Sequence, residues 1–197
     1  MNTTFRSIRV VQSGEILDFL KNIFEIKNDA QLARFLDVTR ASIHTLRQPG
    51  RSMGKHTRLV VMEKFSYLGI PNWRQRFSRE YIENRLREFG FTTDEHNPER
   101  AFLSLLKSFY RCDNDLQLAN ILDLRPNTLS MYRVGRTSLG PLPMLRVICD
   151  IEKLPYENLM PFFLDNSSFK TALEDAYGKQ LTDMKARKVF PLPPQFR

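Results

Sequence analysis

Residues 114–140, NDLQLANILDLRPNTLSMYRVGRTSLG, predict two short helices joined by a tight turn. The same pattern stands 86 residues earlier, at residues 28–54, as NDAQLARFLDVTRASIHTLRQPGRSMG. Without any gap, 16 of the 52 aligned positions from residue 17 to residue 68 are identical between the two stretches. Unrelated segments rarely match this well, so we interpret the chain as an internal duplication with a first and a second copy.

The residues that the copies share suit two helices that cross closely at a turn. Ala33 and Ala119 are small enough to face the second helix of each pair. The turn needs one residue at positive φ, a conformation that Asp tolerates, and Asp37 and Asp123 stand there. The apolar residues that fill the small core after each turn are Val38, Ile43, Leu124 and Leu129.

On these residues, together with the Gln-Leu-Ala run before each turn, both copies resemble the lambda-repressor-like family of helix-turn-helix proteins, of the phage repressor and Cro type. The resemblance covers about residues 15–68 and 101–154. That family prefers Gly where this chain has Asp37 and Asp123, and the same departure in both copies argues for their common descent. The resemblance implies five-helix α domains whose third helix enters the DNA major groove. The alternative is that each copy is only a small helical bundle.

The predicted fold is all-α: two tandem lambda-repressor-like helix-turn-helix domains joined by a helical connector, with an extra C-terminal helix. The connector helix is expected over about residues 72–88, and the last helix over about residues 169–188. The predicted divisions are an N-terminal arm at 1–12, a first domain with the connector at 13–89, a linker at 90–97, a second domain at 98–164, and the C-terminal helix with a Pro-rich tail at 165–197.

The charge of the chain points to a polyanionic partner. The net charge is +8 and the sequence pI is about 9.7. Residues 38–62 and 124–149 contain no acidic residue but several arginines. A run of charge is usually only a solvated face. Because both windows cover the predicted recognition helix and the loop after it, we expect them to lie where DNA phosphates would be.

The predicted recognition helices span about residues 40–48 and 126–134, and their outward residues are the expected base readers. Arg40 could pair with guanine, Asn127 with adenine, and Ala41 and Met131 could meet thymine methyl groups. The complete base-reading set is Thr39, Arg40, Ala41, His44, Thr45, Arg47, Arg125, Asn127, Thr128, Ser130, Met131 and Arg133. The expected phosphate contacts are Gln31, Arg51, Lys55, Gln117, Arg136 and Ser138.

Other classes of protein find no support in the sequence. There is no 18-residue apolar run for a membrane span, and the N-terminal residues lack the apolar core of a signal peptide, so a cytoplasmic protein is expected. We find no Gly-rich phosphate loop, no metal-ligand spacing and no paired nucleophile and base. The prediction is therefore a protein that is not an enzyme and has no cofactor, metal site or small-molecule ligand.

These observations predict a sequence-specific double-stranded DNA-binding transcription regulator, a repressor by the resemblance, from a bacterium, phage or mobile element. Because the outward residues of the two recognition helices differ, two unlike half-sites about 34–36 Å apart are expected. The alternative is that only one copy reads bases and the other positions the chain or dimerises. The C-terminal helix is expected either to pack on the second domain or to form a homodimer. The alternative function is a protein-binding module on the same fold, an antitoxin-like protein or an inhibitor, which Met131 and the Phe-rich residues 160–164 would suit.

Overall fold

The structure, a computed structural model, describes residues 11–65 and 72–186. It is 69% helix with no strand in the described residues, so the predicted all-α class is confirmed. The described residues form two compact units: unit 1 contains residues 11–65 and 161–186, and unit 2 contains residues 72–160. In chain order the helices are α1 (Ser13–Ile23), α2 (Asp29–Phe35), α3 (Arg40–Leu46), α4 (Lys55–Lys64), α5 (Trp73–Arg76), α6 (Arg79–Glu88), α7 (Pro98–Tyr110), α8 (Asp115–Ile121), α9 (Pro126–Arg133), α10 (Pro141–Glu152), α11 (Tyr156–Leu159) and α12 (Asn166–Ala186), with a 3₁₀ segment (Met160–Phe163) before α12.

The helices α2 and α8 begin with the same capping arrangement. The side chains of Asn28 and Asn114 accept hydrogen bonds from the backbone N–H groups of Gln31 and Gln117, each at 3.0 Å. This bond satisfies one of the N–H groups that have no partner inside the first turn of a helix. The local sequence therefore sets the start of both helices.

The turns after α2 and α8 carry the predicted left-handed residue. Asp37 has φ of 53° and Asp123 has φ of 51°, which confirms the conformation expected for both positions. The N–H of the residue after each Asp donates to the carbonyl of Ala33 or Ala119, at 2.9 and 2.8 Å. These bonds satisfy carbonyls at the helix end and redirect the chain into α3 and α9.

Unit 1 closes over an apolar core that α12 completes. The helix α12 packs against α1, although the two lie at opposite ends of the sequence. Phe169 stacks edge-on against Phe162 at 6.1 Å between ring centroids, and Phe19 meets Tyr177 at 6.4 Å. The fully buried residues of this core include Ile16, Leu17, Leu20, Leu32, Leu36, Ile43, Val61, Phe169 and Leu173.

Unit 2 contains α5 to α11. The helix α6 packs against both α7 and α10. Phe102 of α7 lies against Tyr132 of α9, with ring centroids 6.2 Å apart. The fully buried residues here include Trp73, Ile82, Leu86, Leu105, Leu106, Leu118, Leu129, Leu145, Val147 and Ile148.

The connector corrects one predicted domain boundary. Instead of one helix over about residues 72–88 in the first domain, the chain forms α5 and α6. They are separate because the hydroxyl of Ser78 accepts a hydrogen bond from the N–H of Tyr81 at 3.1 Å and starts a new helix. The hydroxyl of Tyr81 donates to Glu152 at the end of α10. Both helices therefore pack in unit 2, and not in the predicted domain 13–89.

The C-terminal helix corrects a second expectation. It begins at Asn166, three residues before the predicted start, because Asp165 accepts a hydrogen bond from the N–H of Ser168 at 2.8 Å. It packs in unit 1, and not on the second domain as one of the two expectations had it. The apolar residues that could have served a homodimer, Phe169 and Leu173, are buried within the chain.

Several predicted features lie outside the described residues. These are residues 1–10 of the arm, the end of the fourth helix beyond residue 65, and the tail from residue 187. Among the helices that the structure describes, none combines the length and apolar character needed to cross a membrane.

Candidate nucleic-acid interface

The predicted base readers of unit 1 lie on the exposed face of α3. Ile43 is buried in the core, whereas Arg40, Ala41, His44 and Thr45 are exposed. Ala41 and Thr45 lie on the side of the helix away from Ile43, His44 lies between the two sides, and Arg40 is exposed because it is the first residue of α3. The structure thus brings these four predicted residues together on one surface.

Thr39, also predicted to read bases, has a local partner. Its side-chain oxygen accepts a hydrogen bond from the N–H of Ser42 at 3.1 Å, and the two hydroxyls lie 2.9 Å apart. Thr39 is therefore the N-cap of α3, as its place before Arg40 suggests. Its hydroxyl holds the start of the helix whether or not it also meets a ligand.

In unit 2, α9 presents the corresponding face. Leu129 and Tyr132 are buried, whereas Arg125, Asn127 and Ser130 are exposed. Thr128 and Met131 are half-buried at the edge of this surface. Because Pro126 occupies the first helical turn, the missing N–H costs the helix nothing. The two faces have the same position in their helices but carry different side chains.

Arg47, another predicted base reader, is held by two carboxylates. Its Nε and Nη2 atoms donate to the two carboxylate oxygens of Asp29, both at 2.8 Å, and Nη2 also reaches Asp18 at 3.0 Å. Lys21 adds a contact to Asp29 at 3.4 Å. The hydrogen bond from Arg47 lowers the pKa of Asp29 to about 2, and the two carboxylates raise the pKa of Arg47.

The same three-residue arrangement stands in unit 2. Arg133 pairs with Asp115, and Lys107 lies 3.4 Å from the same carboxylate. A two-pronged Arg–carboxylate pair fixes direction as well as distance. The guanidinium group of Arg47 thus joins the end of α3 to the start of α2. That of Arg133 joins the end of α9 to the start of α8 in the same way. We call Lys21, Asp29 and Arg47, and separately Lys107, Asp115 and Arg133, the ion-pair braces.

The sequence contained the signal for these braces. All three residues are identical at matching positions in the two copies, and they are charged residues at helix ends. Base-reading residues in two unlike recognition helices have no reason to be identical, whereas a brace that sets the same helix angle does. Arg47 and Arg133 are thus held in ion pairs, and their base reading stays a prediction.

Gln31 and Gln117, two predicted phosphate contacts, bind the backbone just before α2 and α8. The side-chain oxygen of Gln31 accepts from the N–H of Lys27 at 3.0 Å, and that of Gln117 accepts from the N–H of Asp113 at 2.7 Å. Both side chains are exposed, so their amide nitrogen remains on the surface. The arrangement is compatible with a phosphate contact but does not require one.

The loops after α3 and α9 hold the remaining predicted phosphate contacts. Arg51, Lys55, Arg136 and Ser138 are all exposed. The carbonyl of Arg51 accepts from the hydroxyl of Ser13 at 2.6 Å, so the backbone of this loop is tied to the start of α1. Its guanidinium has no ion pair among the described residues.

Other arginines in the basic stretches are structural. Arg58 is only 3% exposed, and its guanidinium donates to the carbonyls of Met53, Phe162 and Leu164 at 2.7 to 3.0 Å. It also lies 4.7 Å from the centre of the Phe169 ring. Burial lowers its pKa, but an arginine remains protonated. Arg58 therefore contributes nothing to a surface that could meet DNA.

The arginines of α5 and α6 are also engaged. Arg76 and Arg85 reach Glu152 at 3.3 and 3.4 Å, and Arg79 reaches Glu83 at 2.9 Å. Ion pairs within the unit thus neutralise much of the charge that makes this segment basic in sequence. At the N-cap of α9 and in the loop after it, Arg125 and Arg136 are exposed cations.

Within the described residues, no group of three or more His, Cys, Asp and Glu side chains is placed to hold a metal ion. Comparisons with protein-family models, with curated proteins and with solved structures gave no match to this chain.

Proposed function

We propose that this chain is a sequence-specific double-stranded DNA-binding regulator with two tandem helix-turn-helix domains of the lambda-repressor-like type. The observation that carries the proposal is the repeated helix pair, with Asp37 or Asp123 at positive φ between the helices and an acid-free, exposed face on the second helix. A helix that projects polar and cationic side chains from a rigid pair is suited to the major groove.

In unit 1, Arg40 is the proposed reader of guanine, and Ala41 packs on a thymine methyl group. His44 and Thr45 extend the same exposed face. Arg51 and Lys55 flank it and contact phosphates, which position the helix without reading sequence. The brace of Arg47 with Asp29 holds the angle at which this face is presented.

In unit 2, Asn127 is the proposed reader of adenine, with Arg125, Thr128 and Ser130 beside it and Met131 at a thymine methyl group. Arg136 and Ser138 contact phosphates. Because almost every outward residue differs from those of α3, the two helices recognise different bases. The proposed regulator therefore binds an asymmetric site, and a repressor from a bacterium, phage or mobile element is the form that the resemblance implies.

Titration of the purified chain against random duplex and against a selected duplex pool, at low and physiological salt, tests this proposal. We expect affinity to fall steeply as salt rises, because protein cations displace counterions from phosphates. We expect the selection to enrich two unlike half-sites. Enrichment of one half-site would leave base reading to a single unit, and a palindrome would indicate a homodimer that reads with one unit per chain.

A second candidate function rests on an apolar surface in unit 2. Leu116 is 55% exposed and Val134 is 59% exposed. Their neighbours Asp115 and Arg133 form an ion pair, so both apolar residues lie at the same end of the helix pair. Such a surface would suit a protein partner, as in an antitoxin or an inhibitor. Binding to duplex that is weak, insensitive to salt and without sequence enrichment would favour this candidate.

A further inference from the structure

The two copies correspond beyond the region where their sequences match. The short helix α5 spans Trp73–Arg76, and the 3₁₀ segment before α12 spans Met160–Phe163. Both ends of the 3₁₀ segment lie 87 residues after the matching ends of α5. The helices that follow start at Arg79 and Asn166, again 87 residues apart. The offset between the copies is 86 residues over the duplication and 87 residues here. The second copy therefore has one more residue between its fourth helix, α10, and its 3₁₀ segment. After its fourth helix, each copy therefore has a short helical turn followed by a last helix, and the second copy has α11 (Tyr156–Leu159) in addition before that turn.

The starts and buried faces of α6 and α12 also correspond. Ser78 and Asp165 cap the two helices in the same way, each accepting from the N–H three residues later. The residues buried from α6 are Ile82 and Leu86, and those at the same places in α12 are Phe169 and Leu173, all with no exposed surface. We interpret α6 as the last helix of the first copy and α12 as the last helix of the second copy.

Each last helix packs in the unit that contains the other copy's four helices. The helix α6 belongs to the first copy but packs against α7 and α10 in unit 2. The helix α12 belongs to the second copy but packs against α1 in unit 1. We propose that the copies exchange their last helices reciprocally, so that each four-helix copy has a binding face for the terminal helix of the other.

The surroundings of the buried Arg58 favour α12 in unit 1 over the alternative, in which α6 packs on its own copy. The guanidinium of Arg58 donates to two carbonyls of the segment before α12 and to the side chain of Asn166, the first residue of α12, at 2.7 to 3.3 Å. At the place of Asn166, α6 carries Arg79. Packing of α6 on its own copy would put the guanidinium of Arg79 beside that of Arg58, a repulsion in a buried site.

The reverse comparison holds for unit 2. Glu152 at the end of α10 accepts from Tyr81 and pairs with Arg76 and Arg85 of the first copy. At the places of Tyr81 and Arg85, α12 carries Ser168 and Ala172. Packing of α12 on its own copy would thus leave Glu152 without these cationic partners. The second copy has Met144 where the first has Arg58, so it also lacks the group that binds the α12 segment.

Exchange of an identical element between two polypeptides is a low-cost route to a dimer, because the same contacts form between chains as within one. This inference concerns how the copies are held together and does not depend on DNA binding.

Cross-linking of the folded full chain, followed by cleavage of the linker, tests the exchange. A site for a specific protease is inserted between Asp94 and Glu95, both exposed, and the native thiols are removed by Cys112→Ser and Cys149→Ala. With Phe19→Cys and Tyr177→Cys, a short bis-maleimide is added before cleavage. We expect the reagent to join the two cleavage products, giving one band near the full 23.2 kDa on a denaturing gel.

The matched control is Ser104→Cys with Tyr177→Cys, because Ser104 lies on α7, where α12 would pack without exchange. Both of these residues are in the second cleavage product. An internal cross-link in this control, with separate products from the Phe19–Tyr177 pair, would overturn the exchange. Since Phe19→Cys removes a ring contact, the pair Arg79→Cys and Glu99→Cys gives an independent readout, and joined products are expected there too.

Discussion

At the residue scale, Arg40 and Arg47 have different environments on α3, the proposed recognition helix. Arg40 is exposed, whereas Arg47 is held by Asp29 and Asp18. A guanidinium already paired with carboxylates releases no counterion from DNA. A residue that orients the helix and a residue that contacts DNA should therefore differ in how their loss changes the salt dependence of binding.

We expect Arg40→Ala to cost about 1–3 kcal/mol of specific binding and to relax specificity at one base pair. Competition titrations against single-base variants of the selected site measure this. An equal loss on every sequence would reassign Arg40 to a phosphate.

For Arg47→Ala, we expect weaker binding but an unchanged slope of log affinity against log salt, because only the orientation of α3 is affected. Arg47→Lys should recover part of the affinity, since an ammonium can still meet Asp29. A fall of about 1 in the slope would instead identify Arg47 as a phosphate contact.

Asp29 makes the stability of unit 1 sensitive to acid. Its pKa is about 2 in the folded chain, below the ordinary 3.8, because Arg47 donates a hydrogen bond to the ionised form. The contribution to stability is thus complete above about pH 4 and is lost as the pH falls through 2. We expect Asp29→Asn to be less stable than the wild type at pH 6, and the difference to shrink at pH 2 in urea unfolding. A constant difference would contradict the assignment.

At the scale of elements, the attachment of α12 to unit 1 depends on Arg58. The residue offers a specific comparison because the second copy has Met144 at its place. We expect Arg58→Met to lower the free energy of unfolding by about 1–3 kcal/mol, since the buried carbonyls of Phe162 and Leu164 lose their donor. Chemical denaturation monitored by circular dichroism measures the change.

The matched control for that variant is Arg51→Met, which removes the same charge from an exposed side chain. It should change stability by no more than about 0.5 kcal/mol. Equal effects of the two substitutions would show that Arg58 acts through net charge and not through its buried hydrogen bonds.

At the scale of the whole molecule, the proposed regulator reads two unlike half-sites with two unlike helices. We expect Asn127→Ala to relax the preference for adenine in one half of the selected site and to leave the other half unchanged. Arg40→Ala should affect only that other half. Repeating the selection with each variant measures both effects, and loss of the same base preference in both variants would contradict separate reading by the two units.

The sequence by itself determined much of the local structure. The repeat, the bounds of α2 and α8, and the left-handed Asp37 and Asp123 follow from residues close together in the chain. The exposed faces of α3 and α9 follow from helical periodicity, so most predicted readers lie where expected. Caps, turns and helix faces are local, and local residues are enough to specify them.

Only the tertiary structure decided which charges are free and which copy receives each last helix. Arg47 lies in an acid-free stretch, yet Asp29, 18 residues earlier in the chain, forms an ion pair with it. Arg58 belonged to an acid-free stretch, yet carbonyls more than 100 residues later bury and bind it. The helix α12 has an apolar face that would fit several partners. Its place on α1 depends on complementary packing and charge, which hydrophobic periodicity along a single helix does not encode.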